Sequence, residues 1–154
     1  MSPKRTLPSF IFFLLVLLWA GFIFSKSMED GAASYETSSR FIRLIDSSLL
    51  DDPETALLAQ AYFRKSAHFF EFFLLGTFFF FMFSGTRKPG IPAFFFSVLA
   101  AFLDEGLQVF SDRGNSLRDV ILDSCGAAAA IMLLIFIFHL RRNRKKRTSS
   151  GKQP

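Results

Sequence analysis

The residue types able to do chemistry in this chain fall into three short segments. The first is Arg64, Lys65, His68 and Glu71, the second Asp104, Glu105 and Gln108, and the third Arg113, Arg118, Asp119 and Asp123. Arg64, His68 and Glu71 follow i, i+4, i+7 spacing and share one helix face, with Lys65 at its border. Asp104 and Gln108 are one helical turn apart, and Ser97 and Ala101 extend their face. Asp119 and Asp123 continue into the small residues Gly126, Ala127 and Ala130, a polar stripe that becomes a packing stripe. His68 or Glu71 is suited to act as a general base, with Asp104 or Glu105 as an acid. His68 and Glu71, with Asp104 or Glu105, also have the spacing of a metal set. One histidine among carboxylates is a weak signal, so the expectation is no metal and no cofactor. A purely structural alternative remains open, in which Lys65 and Arg113 neutralise Asp104 and Asp119 and lock the helices together. The acids outnumber these basic partners, and surplus carboxylate needs a proton, a cation or a ligand.

The elements that must position these groups are membrane helices. Of the 154 residues, 51% are hydrophobic and 23 are Phe, more than one soluble core of this size can hide. Four stretches reach the roughly 17–25 mainly apolar residues that a bilayer requires. They run from Pro8 to Phe24, Ala67 to Phe83, Pro92 to Phe110 and Val120 to Leu140. The expected class is therefore all-α: a polytopic membrane protein with four transmembrane helices. Lys4 and Arg5, then Arg87 and Lys88 in the turn Gly85–Gly90, then the tail from Arg141 to Arg147 fall on one side, which the positive-inside rule makes cytoplasmic. Both termini are then cytoplasmic, and the polar groups of all three segments come to one depth in the outer leaflet. An ionisable residue at mid-bilayer costs about 2.5–3.5 kcal/mol on insertion scales, so their coincidence at one end points to an outward-facing site.

The organisation expected is a cytoplasmic N-terminus over residues 1–7, a four-helix membrane domain over 8–140 and a basic cytoplasmic tail over 141–154. The first span has a basic flank and Gly31-Ala32-Ala33 beyond it, but its apolar run is long for a cleaved signal and the small residues lie far past its end. In the outer segment, Phe41, Leu44, Ile45, Ser48 and Leu49 follow helical spacing and predict a short amphipathic helix on the outer surface. Asp52-Pro53-Glu54 predicts a capped helix start that leads into the second span. The lone Cys125 excludes an internal disulfide and is expected as a packing residue. The net charge of +5 is concentrated in the tail, whose expected partner is anionic membrane lipid. The tail lacks the aromatic or folded surface that nucleic-acid binding would need.

The polar positions resemble the VanZ-like family of bacterial membrane proteins. The resemblance rests on Lys65-Ser66-Ala67-His68-Phe69-Phe70-Glu71-Phe72, Leu75-Gly76, Asp104-Glu105-Gly106-Leu107-Gln108-Val109-Phe110, Arg113, Ser116, Asp119-Val120 and Gly126. It covers about residues 60–130. Phe72 stands where the family commonly has Tyr, Asp123 where Asn is common, and Ser25-Lys26-Ser27 keeps part of a serine-rich stretch. The resemblance implies a multi-pass protein of the bacterial cytoplasmic membrane with a role at the cell envelope. The family takes its name from a member linked to resistance to the glycopeptide teicoplanin, but implies no reaction. The function expected is binding of a lipid or cell-wall-related ligand at the outer polar site. The alternative is an intramembrane enzyme acting on a lipid head group or lipid-linked precursor. A proton-coupled transporter is the weakest reading, because the polar groups stop in the outer leaflet.

Overall fold

The computed structural model describes residues 6–29, 31–108 and 116–150, all of them helices and the turns between them. Helix α1 spans Thr6–Ser27, α2 Gly31–Ile45, α3 Pro53–Met82, α4 Gly90–Gln108 and α5 Leu117–Ser150, with a single 3-10 turn at Ser47–Leu50. No strand occurs among the described residues. Helices α1, α4 and α5 contain the segments Ser9–Ser27, Gly90–Gln108 and Leu117–Arg144, each long and apolar enough to cross a membrane. The apolar run of α3 is instead interrupted towards its N-terminal end by Lys65, His68 and Glu71, which dilutes its hydropathy.

Contacts between named side chains give the helix directions. Phe12 stacks on Phe81 at 4.9 Å, and the Trp19 indole N–H donates to the Glu71 carbonyl at 3.0 Å, so α1 and α3 run antiparallel. Gly126 lies against Phe69 and Phe80 stacks on Phe138 at 5.9 Å, so α3 and α5 run parallel. Gly90 lies against Ile131 and Ile135 while Glu105 meets Ser116, so α4 and α5 are antiparallel. The core is built by Phe72, Leu75, Phe79 and Phe80 of α3 against Val16 and Ile23 of α1, Ala93 and Ala101 of α4, and Val120 and Ile131 of α5. Small residues let the backbones approach, as membrane packing requires. A Cβ on Gly76 would lie 2.9 Å from the Ala127 Cα, and one on Gly126 only 2.3 Å from the Phe69 carbonyl oxygen. Outside this core, Phe10, Leu18, Phe70, Phe95, Met132 and Phe136 are among many large apolar side chains left exposed. That coat suits hydrocarbon rather than water.

Helix α3 starts where the sequence sets its cap. Asp52 Oδ2 accepts from the Thr55 amide and from its hydroxyl, both at 2.9 Å, and Pro53 takes the first turn, where no amide is needed. Those two hydrogen bonds hold the Asp52 carboxyl below the ordinary carboxylate range. At 30 residues α3 is about 45 Å long, and its first turns pack on α2.

The segment between α1 and α3 differs from the sequence expectation. The helix lies earlier, at Gly31–Ile45, and does not continue through Ser48 and Leu49. Asp46 stops it: its carboxylate accepts from the Ser48 amide at 3.0 Å and hydroxyl at 2.7 Å, and its backbone turns extended. This local pairing competes with the helix ladder. The face of α2 that is buried carries Ser38, Ser39 and Ile42, while Leu44 and Ile45 are exposed. Gln60 donates to Ser39 Oγ at 3.0 Å and Phe41 stacks on Phe63 at 5.7 Å, which fastens α2 to the early turns of α3. Cys125 is exposed rather than packed.

Candidate functional site

The site is assembled at one end of the core, where α1 ends, α3 is past its third turn, α4 ends and α5 begins. Asp104 is its centre and is fully buried. Ser27, the last residue of α1, donates its hydroxyl to Asp104 Oδ1 at 2.6 Å, and Gln108, one turn on in α4, donates to Oδ2 at 3.3 Å. Both oxygens of this carboxylate are thus oriented by neutral donors, which makes it a fixed acceptor at the helix junction. Glu105 points the other way round α4: its Oε1 accepts from the Ser116 amide at the start of α5.

On α3, His68 Nδ1 lies 3.6 Å from Glu71 Oε2, and both side chains are about three-quarters buried or more, at 26% and 20% exposure. On α5, Asp123 is 1% exposed. Ligand-capable atoms of His68, Asp104 and Asp123 all lie within 4.8 Å of one another, so one group from each of three helices meets at a point. His68 Nδ1, Asp123 Oδ1 and Glu105 Oε2 are buried and have no hydrogen-bond partner among the described residues. A buried polar atom left so costs about 1–3 kcal/mol, a cost removed by a ligand, an ion or ordered water.

Two cavities flank His68. One, of about 320 Å³, is lined by Arg64, Lys65, His68, Gln108, Asp119 and Asp123. The other, also about 320 Å³, lies between α1, α2 and α3, and Lys26, Phe41, Arg64, His68 and Glu71 contribute to it. Arg64 and His68 line both, so the polar face of α3 divides two compartments. Each has the size of a head group rather than of a large substrate.

Of the residues singled out from sequence, the structure brings His68, Glu71, Asp104, Glu105, Gln108, Asp119 and Asp123 to one end of the bundle, with Lys65 exposed at the cavity mouth. Arg113 lies outside the described residues. Gly126, Ala127 and Ala130 are buried, with Gly126 against α3. Sequence reasoning did not include Ser27 in the site. Its signal was position: a hydroxyl at the C-terminal end of the first apolar stretch, the end at which the expected arrangement gathers the acidic groups. Trp19, whose indole holds the Glu71 carbonyl, gave no signal beyond its being the single tryptophan.

The chain is similar to known membrane proteins. The chain is 28% identical over 147 residues to the uncharacterized membrane protein YwnJ of Bacillus subtilis, a match that covers 93% of this chain and 94% of that one. No solved structure matches. A match to the VanZ/LLP1 family spans residues 10–139, from the first turns of α1 to the last apolar residues of α5 and across every helix that builds the site. The protein is a membrane protein and belongs to the VanZ/LLP1 family.

Proposed function

We propose that the protein is a four-span protein of the bacterial cytoplasmic membrane whose outward-facing site binds a lipid or cell-wall-related ligand. The observation that carries this reading is the convergence of His68, Asp104 and Asp123 from three helices beside two cavities of head-group size. The fourth span is α3. Its support is that α3 runs antiparallel to α1 along the whole apolar length from Glu71 to Phe81 and forms most of the buried core. Lys4 and Arg5, Arg87 and Lys88, and Arg141 to Arg147 then share the cytoplasmic side, with α2 and the polar site outside. The membrane domain is residues 8–140, flanked by short cytoplasmic termini, the second of which binds anionic lipid.

A second reading, an intramembrane enzyme acting on a lipid head group or lipid-linked precursor, is favoured by one observation. His68 and Glu71 stand 3.6 Å apart at the cavity wall, an acid–base pair within reach of a bound group. Lipid mass spectrometry separates the two. A lipid that co-purifies unchanged with the protein supports the binder, and an altered species in cells that express the wild type but not His68→Ala supports the enzyme. If neither appears, both readings fail. Teicoplanin susceptibility of the same strains tests whether this member shares the phenotype from which the family is named.

A further inference from the structure

We infer that His68, Asp104 and Asp123 form a binding site for one divalent first-row cation, Mn²⁺ or Zn²⁺. The sequence offered His68 and Glu71, with Asp104 or Glu105, as a metal set on a weak signal. The structure keeps His68 and Asp104 and brings in Asp123 in place of Glu71. Glu105 is turned to the Ser116 amide, and Asp123, from the next helix, takes the place beside Asp104.

Four observations carry the assignment. First, donor atoms of the three side chains lie within 4.8 Å of one another. Ligands that share one ion at about 2.0–2.2 Å stand about 3–4.5 Å apart, so small rotations close the set. Second, Asp123 is 1% exposed, and its Oδ1 is buried with no hydrogen-bond partner among the described residues, at the wall of the cavity that His68 also lines. A carboxylate is not left this way in a hydrocarbon-embedded core without compensation. Third, Asp104 is held from behind by Ser27 at 2.6 Å and Gln108 at 3.3 Å, the outer-shell support typical of ligating carboxylates. Fourth, the donor set of one imidazole and two carboxylates is borderline, which suits Mn²⁺ or Zn²⁺ better than the all-oxygen Ca²⁺ or the sulfur-seeking Cu⁺. The cavity leaves room on the ion for an outside oxygen ligand. That deepens the proposed function by naming a phosphate- or carboxylate-bearing head group as its ligand class, and this last step alone rests on that reading.

The test uses the full-length, tag-free chain in detergent, stripped with chelator and titrated with MnCl₂ or ZnCl₂ alone. The expected result is one ion bound per chain, with a higher thermal midpoint. Electron spin-echo modulation of bound Mn²⁺ should show a single imidazole nitrogen, read on the wild type so that it does not depend on any variant folding. His68→Ala and Asp123→Asn should lose stoichiometric binding, Ser27→Ala should weaken it about 10–100-fold, and Asp51→Asn should keep it. No saturable Mn²⁺ or Zn²⁺ binding by the monodisperse wild type would overturn the assignment. So would binding without a nitrogen signal, or binding that persists unchanged in monodisperse Asp123→Asn. Because no lipid is added, a failed titration leaves lipid co-purification as a separate result. A successful titration with no lipid retained would leave the cation site standing and remove the head-group reading.

Discussion

Gly126→Ala adds one methyl group at the closest approach of α3 and α5, and its cost follows from the geometry. The new Cβ would lie 2.3 Å from the Phe69 carbonyl oxygen and 3.1 Å from the carbonyl carbon, where ordinary contact begins at 3.4 Å. The shortfall is about 1 Å, and the obstacle is the backbone of a neighbouring helix, which has no free end to swing away. Overpacking of this kind costs about 1–3 kcal/mol, and the upper half of that range applies where backbone must move. Ala gains about 1 kcal/mol over Gly in helix propensity, which leaves a net destabilisation of about 1–2 kcal/mol. Gly21→Ala is the matched control, since a Cβ there meets nothing within 4 Å and should be neutral or stabilising by up to about 1 kcal/mol.

The consequence reaches the site. Phe69 is the neighbour of His68, and Gly126 sits one turn below Asp123, so parting the helices at this level also parts His68 from Asp123. Thermal unfolding of detergent-purified protein, followed by loss of the monodisperse peak, measures the first effect. If Gly126→Ala were as stable as Gly21→Ala, α3 and α5 would not meet through Gly126, and the position of Asp123 would need another explanation.

The remaining predictions concern topology, the buried hydroxyl and the cap. In a Cys125→Ser background, Asp51→Cys should react with an impermeant thiol reagent in intact cells and Lys88→Cys should not; labelling at position 88 would break the four-span topology. Ser27→Ala removes a fully buried hydroxyl from Asp104 and should lower stability by about 1–3 kcal/mol in the same unfolding assay, and an unchanged midpoint would deny the contact. Asp52 has a lowered folded pKa, so its stabilisation is present above its unfolded value near about pH 4 and is lost as pH falls through the folded value. Protection of the Thr55 amide from exchange should therefore drop on acidification in the wild type, whereas Asp52→Ala should show low protection at every pH.

What could be read from sequence was whatever depends on a single helix. Asp104 and Gln108 are one turn apart in any helix, and their hydrogen bond is a consequence of that period. Asp52-Pro53 carries its own cap, so the start of α3 was visible too. What was hidden depends on how helices rotate against one another. Nothing along α5 says that Asp123 rather than Asp119 turns toward His68; that is decided by Gly126 lying flat on Phe69. Ser27 was passed over because its partner is 77 residues away. The end of α2 was misplaced because Asp46 satisfies Ser48 locally, a preference that apolar spacing does not record.

The arrangement of charge bears on whether the cluster is a lock or a site. A lock is built by pairing each buried acid with a base of its own, since removing either partner then strands the other. The acid–base pairs with Lys or Arg found among the described residues are Lys26 with Glu29 and Arg40 with Glu36, both local to one segment and neither between core helices. The contacts to the buried carboxylates include a hydroxyl and an amide on Asp104 and a backbone N–H on Glu105. Arg64 and Lys65, the nearby cations on α3, are exposed at the cavity mouth, where they attract an anion from outside more readily than they neutralise an acid within. Basic groups at the rim, oriented acids at the floor and His68 on the dividing wall form a gradient. A ligand that presents an anionic group to the rim and a cationic or metal-bridged group to the floor fits that gradient at both ends.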